Sequence, residues 1–154
     1  MNLEAAETLA YQLMSQHGLF LESWGFLWDT AKTRCGQCCF HDRTINLSKN
    51  FVELNPEAEV KDTILHEIAH ALVGPGHHHD RVWRLKAIEV GARPERCASD
   101  KIVQPPGKWI GKCIGCNLEV PRYRKPKYMS IPGFHSHTAC KRAGRPARIE
   151  WRKA

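Results

Sequence analysis

The sequence predicts an α+β fold that consists of helices, one small β-sheet or hairpin, and a C-terminal module that needs a metal to fold. Three observations predict it. Residues 57–73 have the apolar spacing of an amphipathic helix, and residues 24–47 hold an aromatic and apolar stretch of β type. Residues 113–140 combine cysteines and histidines with few apolar side chains, so hydrophobic burial alone cannot fold this part.

The elements of the first third follow from apolar spacing and from the residues that end or cap each element. Apolar side chains recur at helical intervals over residues 2–17, and Gly18 ends that predicted helix. Aromatic and apolar residues flank Gly36 within 24–47, which predicts a β-hairpin or short meander. Ser48 is then placed to cap a short helical turn.

The longest predicted helix covers residues 57–73. Pro56 suits the start of this helix, an apolar face runs along its length, and Gly74 ends it. A further helix is predicted over residues 79–90, with Gly91 at its C-terminal end.

Composition indicates a protein that contacts no membrane. The hydrophobic fraction is 42%, and no apolar stretch is long enough to cross a bilayer. Residues 2–7 are acidic and helix-forming, unlike a secretory signal, so we expect a cytoplasmic location. In that reducing compartment, seven cysteines favour metal ligation over disulfide bonds.

The charge distribution divides the chain into two modules. Residues 1–100 hold 10 Lys+Arg and 14 Asp+Glu, whereas residues 101–154 hold 13 and 2, so the net charge of +7 arises from the C-terminal third. The change coincides with a Pro-Pro-Gly sequence at 105–107. We therefore predict a domain over 1–104 and a basic module over 105–154. The expected partner of that module is nucleic acid, and a solvated basic tail is the alternative.

The H-E-x-x-H sequence formed by His66, Glu67 and His70 predicts a metal site in the middle of the longest helix. The two histidines lie one turn apart and can bind the same zinc ion. The Glu67 carboxylate can then act as general base towards a water molecule that the metal acidifies, which is the chemistry of peptide hydrolysis. Metzincins are excluded, because Val73 and Gly76 stand where their pattern requires glycine and histidine.

The third ligand of a catalytic zinc is expected shortly after this helix. Three consecutive histidines at 77–79 follow a Gly-Pro-Gly break and can fold back towards the helix. We choose His79, because Trp83 four residues later would share its helix face and pack beside the site. A glutamate on the following helix, such as Glu89, is the alternative ligand.

These features resemble the SprT-like family, which includes the Spartan DNA–protein crosslink proteases. The likeness extends over residues 5–152 and is strongest in the metallopeptidase core. The residues that support it are 66–72, the Gly-rich break, His79-Asp80 with Trp83, Gly91-Ala92 before Cys97, Gly36, and residues 43–55.

The resemblance implies a fold, a ligand set and an activity. The fold is a small minigluzincin-like metallopeptidase core followed by a zinc ribbon. The zinc ligands are His66, His70 and His79, and Glu67 is the base. In some members of the family, DNA triggers proteolysis.

The cysteines of the basic module predict a second, structural zinc site. Cys113 and Cys116 form a C-x2-C knuckle, and His137 and Cys140 form an H-x2-C pair further along. SprT-like ribbons more often end in a second C-x2-C, and this chain has a histidine in place of the first cysteine of that pair. The family pattern therefore does not identify the third ligand, and His135 is the alternative to His137. We favour His137 because its spacing repeats that of the knuckle. Thiolates close such a site, so no chemistry is expected there.

Basic and aromatic residues alternate between the two halves of the predicted ribbon. Arginine and lysine can neutralise phosphates, and aromatic rings can stack on unpaired bases. A solvated ribbon surface with two packed rings is the alternative. The predicted nucleic-acid contacts are Arg122, Tyr123, Arg124, Lys125 and Lys127.

The remaining cysteines predict no further site. Cys35, Cys38 and Cys39 lack enough neighbours for four ligands, so we expect buried or hairpin thiols rather than a redox pair or a half-site with His41. Cys97 is expected to be a core thiol.

We therefore expect a monomeric zinc endopeptidase with one catalytic and one structural zinc ion. Its substrates are proteins bound or crosslinked to DNA, including single-stranded DNA. The alternative is a zinc-dependent nucleic-acid-binding or regulatory protein whose peptidase site is weak or idle, and hydrolysis of a non-peptide bond is a third possibility. Glu67 favours the peptidase, because a purely structural metal site needs no carboxylate at that position.

Overall fold

The computed structural model describes residues 1–96 and 101–154. This part of the chain forms two compact units, Met1–Pro105 and Pro106–Ala154, each with its own small sheet. The prediction of a mixed α+β fold is confirmed in this outline. None of the helices in the described ranges is long and apolar enough to span a membrane.

The first unit combines α-helices, a short 3₁₀ helix and a three-stranded sheet. In chain order its elements are α1 (Leu3–Gln16), the 3₁₀ helix (Leu19–Glu22), β1 (Gly25–Asp29), β2 (Gly36–Cys39), β3 (Thr44–Ser48), α2 (Lys49–Leu54), α3 (Glu57–Val73) and α4 (Arg81–Val90). The helices predicted over 2–17 and 57–73 are confirmed as α1 and α3. Ser48 caps α2 as predicted, because its hydroxyl accepts a hydrogen bond from the Phe51 amide at 3.3 Å.

The strand order in the first sheet is β1-β3-β2, so β1 and β2 are its edges. β2 and β3 form an antiparallel hairpin, whereas β1 pairs with β3 in parallel. The predicted hairpin is therefore confirmed for β2 and β3, but a meander that pairs β1 with β2 is wrong. The loop after β1 is instead bonded to the end of β3 and the start of α2. Ser48 Oγ donates to the Ala31 carbonyl at 2.5 Å, and Asn50 Nδ2 donates to the Thr30 carbonyl at 3.0 Å.

α3 lies at the centre of the first unit and packs against α1, α4 and the sheet. Its side chains Val60, Ile64 and Ile68 are fully buried, as are Met14 of α1 and Trp83 of α4. Burial of each such side chain contributes roughly 1.5–3 kcal/mol to folding. The H-E-x-x-H sequence thus lies on the helix with the most extensive packing.

α4 begins at Arg81 rather than at His79. Asp80 caps it, because its Oδ1 accepts a hydrogen bond from the Trp83 amide at 3.0 Å. His79 lies before the helix with a φ of 104°, a value that no residue in an α-helix adopts. The prediction that His79 and Trp83 share one helix face is therefore wrong.

The second unit contains β4 (Trp109–Cys113), β5 (Glu119–Arg122), α5 (Thr138–Arg142) and β6 (Ile149–Lys153). The strands form an antiparallel sheet in the order β5-β4-β6. Its buried hydrophobic residues are only Cys113 and Cys140, and the described chain provides no larger core here. Gly115 allows the chain at Pro146 to pass close by, because a Cβ at this position would overlap the Pro146 carbonyl oxygen.

Candidate metal centres

Three histidines of the first unit converge on one point. α3 places His66 and His70 one turn apart, and the loop before α4 brings His79 to them. The Nε2 atom of His79 lies 3.0 Å from that of His66 and 3.1 Å from that of His70. Tetrahedral zinc, with Zn–N bonds near 2.0–2.1 Å, separates its nitrogen ligands by roughly 3.3 Å. The group is therefore consistent with a zinc ion, to which it would supply three nitrogen ligands.

The protonation of these histidines also suits a metal. Burial, followed by the neighbouring imidazoles, lowers the pKa of His66 to about 4. Burial and His79 likewise lower the pKa of His70 to about 4. The pKa of His79 is lowered too, mainly by burial. All three rings are thus neutral at pH 7, with nitrogen lone pairs free to bind a cation.

Trp83 packs directly against all three rings. It is fully buried, and its ring centroid lies 4.6 Å from that of His66, 5.1 Å from His70 and 4.5 Å from His79. Asp80 holds the preceding loop, because its Oδ2 pairs with His77 Nδ1 at 2.8 Å while its Oδ1 caps α4. Trp83 and Asp80 therefore fix the geometry of the histidines from outside the ligand group.

Glu67 lies next to the first histidine and is itself buried, with only 8% of its surface exposed. Burial raises its pKa to about 7, against the opposing effects of a hydrogen bond from the Cys38 amide and of the Arg34 charge. Gly36 lets β2 approach this close, since a Cβ there would lie 3.0 Å from Glu67 Cγ and 3.1 Å from Thr63 Cγ2. A carboxyl group with a pKa near 7 can accept and return a proton at neutral pH.

A cleft of about 320 Å³ opens beside Glu67 and His66. Arg34 and Gly36, the first residue of β2, line one side of the cleft, and α3 lines it with Thr63, His66 and Glu67. Ile102 and Gln104 also line it, which the sequence did not indicate. The cleft has the volume to receive a substrate side chain next to the candidate base.

The alternative third ligand, Glu89, lies outside the histidine group. Its carboxylate pairs with Lys86 at 2.6 Å, and two thirds of its side chain is exposed. Among the described residues, the potential ligands that meet at this point are the three histidines.

In the zinc-free protein we expect His66 and His70 to remain uncharged down to about pH 4, because burial lowers the pKa of both. An ordinary histidine would be half protonated near pH 6.5. Their pKa values are depressed on folding, so their contribution to stability is present above about pH 6.5 and is lost as the pH falls through about 4. An NMR titration of the imidazole resonances measures this, and protonation of both rings near pH 6.5 would contradict it.

The second ligand group lies in the second unit and consists of Cys113, Cys116, His137 and Cys140. The Sγ atoms of Cys113 and Cys140 lie 3.8 Å apart. His137 Nδ1 lies 3.4 Å from Cys116 Sγ and 3.3 Å from Cys140 Sγ. Tetrahedral zinc, with Zn–S bonds near 2.3 Å, separates two sulfur ligands by roughly 3.8 Å. This group is therefore also consistent with zinc and offers four ligands.

His135, the alternative ligand, has other partners. Its Nε2 lies 2.6 Å from the Lys127 carbonyl oxygen, and its ring centroid lies 5.5 Å from that of Trp151. His137 thus lies with the cysteines, whereas His135 binds the loop that precedes it, at Lys127.

The predicted nucleic-acid contacts lie at the end of β5 and in the loop after it. Arg122, Arg124, Lys125 and Lys127 are exposed, whereas Tyr123 is half-buried. Lys125 Nζ lies 5.9 Å from the centre of the Trp109 ring. The structure therefore leaves the four basic side chains accessible and the Tyr123 ring partly covered.

The same loop carries exposed apolar residues that the sequence analysis missed. Tyr128, Ile131 and Phe134 expose half or more of their surface, and the rings of Tyr128 and Phe134 lie 4.6 Å apart. A signal was present in the sequence, since these residues interrupt an otherwise polar stretch.

The other cysteines form no third ligand group among the described residues. Cys35, Cys38 and Cys39 are half-buried free thiols. Burial raises the pKa of Cys35 to about 11 and that of Cys38 to about 12, and the Glu67 charge adds to both effects. Cys35 and Cys38 are therefore protonated at neutral pH. Cys97 lies outside the described residues.

Comparison with known proteins identifies the family. No curated protein matches the chain. A model of the SprT-like family matches residues 8–101, which is more than half of the sequence and includes all three histidines and Glu67. The predicted resemblance is thereby confirmed, and the chain belongs to the SprT-like family of metallopeptidase-like proteins.

Proposed function

We propose that the chain is a zinc-dependent endopeptidase that cleaves proteins bound or crosslinked to DNA. The observation that supports it most is the meeting of three Nε2 atoms beside the buried carboxyl group of Glu67, at the edge of a cleft. In this proposal the first unit is a minigluzincin-like metallopeptidase domain and the second is a zinc ribbon. The enzyme acts as a monomer in the cytoplasm, where cysteines stay reduced and available to zinc.

Each residue of the histidine centre has a role in the proposed reaction. His66, His70 and His79 would hold the zinc ion, which when bound would acidify a water molecule and polarise the peptide carbonyl. Glu67 takes the proton from the attacking water and passes it to the leaving amine. The raised pKa of Glu67 suits both steps, since the group must bind and release a proton near pH 7.

The substrate is proposed to bind as an extended chain along β2. This strand is an edge of its sheet and lies against α3 at Glu67. Backbone hydrogen bonds to such an edge hold a peptide without regard to its sequence. A peptide bound along β2 would have its scissile bond next to Glu67, and this mode of binding suits an enzyme with many protein substrates.

The second unit is proposed to bind DNA through its positive charge. Two arginines of this unit are already paired with acids, Arg148 with Glu150 and Arg152 with Glu119. Arg122, Arg124, Lys125 and Lys127 are exposed and form no ion pair within the described part of the chain. These four side chains are available to phosphates, with Tyr123 beside them.

We expect single-stranded DNA to bind with strong salt dependence. Four phosphate contacts on a single strand give a slope of about −3 in log affinity against log salt concentration. Changing these four basic residues to Gln should remove most of that slope, whereas Lys49→Gln with Lys61→Gln in the first unit should not. Fluorescence anisotropy at several salt concentrations measures it. A slope near zero for the unaltered protein would contradict a phosphate-led contact.

The experiment that tests the function compares two forms of one substrate. A protein crosslinked to single-stranded DNA and the same protein alone are incubated with the zinc-loaded enzyme, and fragments are identified by mass spectrometry. Cleavage that is faster for the crosslinked form supports the proposal. Cleavage of small esters but of neither protein would indicate a different hydrolase, and no cleavage at all would favour a regulatory nucleic-acid-binding protein.

A further inference from the structure

The end of the first unit, residues 101–105, forms part of the cleft wall; we refer to it as the strap. Ile102 and Gln104 line the cleft together with His66 and Glu67. The family match ends at residue 101, so this wall belongs to a part of the chain that the family pattern does not describe.

Asn55 holds the strap in place. It is 2% exposed and lies between α2 and α3. Its Oδ1 accepts a hydrogen bond from the Val103 amide at 2.8 Å, and its Nδ2 donates to the Val103 carbonyl at 2.8 Å. Nδ2 also donates to the Phe51 carbonyl at 2.7 Å, so both of its hydrogens are used. The Asn55 side chain thus pairs with both backbone groups of Val103, as a neighbouring strand would.

The side chains of the strap divide between two directions. Ile102 packs against the hydrophobic core, whereas half of the Val103 surface is exposed. Val103 is therefore held by its backbone, while Ile102, at the edge of the core, and Gln104 both line the cleft. Such fixed backbone pairing is unexpected for a passive linker, which would leave its amides to solvent.

We propose that the strap is a wall of the substrate cleft, in which Ile102 and Gln104 contact a side chain of the bound protein and Asn55 positions them. This inference rests on the proposed peptidase function. Ile102 offers an apolar surface, and Gln104 offers an amide that can donate and accept hydrogen bonds. The preferred substrate residue therefore combines an aliphatic part with a hydrogen-bonding end.

The first test changes Gln104 to Leu, which keeps the size of the side chain and removes its hydrogen bonds. With a mixture of peptides, we expect the preference for side chains with polar ends to fall roughly five- to tenfold in kcat/KM, the effect of one lost hydrogen bond. Gln12→Leu makes the same chemical change on the exposed face of α1 and should leave the cleavage profile unchanged.

The second test examines the role of Asn55. Asn55→Leu removes both bonds to Val103, so the Val103 amide should exchange its hydrogen at least about tenfold faster, with a raised KM and a smaller change in kcat. Asn55→Asp keeps the acceptor for the Val103 amide but places an oxygen against the Val103 and Phe51 carbonyls, so part of the protection should be lost. It supplies a second variant if Asn55→Leu does not fold.

The outcomes separate the two proposals. If the wild-type enzyme cleaves peptides and Gln104→Leu has the same cleavage profile, the strap does not contact substrate and this inference is overturned alone. Unaltered exchange at Val103 in a folded Asn55→Leu variant would overturn the positioning role. A wild-type enzyme that binds zinc and cleaves nothing overturns the proposed function, and this inference with it.

Discussion

Replacing Glu67 by Gln is expected to lower kcat/KM for a protein substrate by about 10²–10⁴-fold, the usual contribution of a general base. An amide has nearly the same shape as the carboxyl group but cannot take a proton from water. Its oxygen can still accept the hydrogen bond from the Cys38 amide, so the local structure should persist. Zinc should also stay bound, because the three histidines that meet at the site are unchanged.

Three measurements make this result specific. Elemental analysis should find the same zinc content in Glu67→Gln and wild type, and DNA binding should be equal. The control Glu53→Gln makes the same chemical change at an exposed position of α2 and should retain full activity. Full proteolysis by Glu67→Gln would show that this carboxyl group is not the base. Loss of zinc together with activity would assign Glu67 a structural role instead.

The second large effect is expected from Cys113→Ser. Cys113 is buried, and it and Cys140 are the only buried hydrophobic residues recorded in the second unit. Structural zinc sites of this type contribute an apparent 10–16 kcal/mol, roughly, to folding. Without one ligand, the second unit has too little buried surface to stay folded. We expect zinc to fall from two ions to one per chain and DNA affinity to fall with it.

The first unit provides the control for this change. It has its own core and its own ligand group, so its thermal unfolding and its zinc should remain. Limited proteolysis should then degrade residues 106–154 selectively. Cys39→Ser alters a thiol outside both ligand groups and should keep two zinc ions. Retention of two ions by Cys113→Ser would remove the basis for a zinc ribbon.

Local patterns were sufficient to predict the central helix, the two histidines on it and the ligands of the second group. α3 was predicted over its observed residues because its apolar face, Pro56 and Gly74 are all local signals. The histidines His66 and His70 follow from the same helix. His79 was chosen for the wrong reason, since it precedes α4 rather than lying on it. The spacing of His79 in the sequence thus predicted that it lies near His66 and His70, but it did not predict the backbone conformation of His79.

Features that depend on distant contacts were not predictable from one sequence. The parallel pairing of β1 with β3 is accompanied by hydrogen bonds from Ser48 and Asn50 to the loop after β1, which no local pattern indicates. Asn55 and Val103 are 48 residues apart, and neither has a distinctive neighbourhood in the sequence. Contacts of this kind leave no local periodicity, so the strap and the cleft wall emerged only from the structure.

The open edge of β2 has a consequence for behaviour in concentrated solution. An edge that can accept an extended peptide can equally accept a strand from another copy, which begins aggregation. β2 limits this hazard by its length of four residues, and the charged residues Arg34 and Asp42 lie just beyond its ends. A longer or more apolar β2 would bind peptides more tightly and would also make the protein more prone to aggregate.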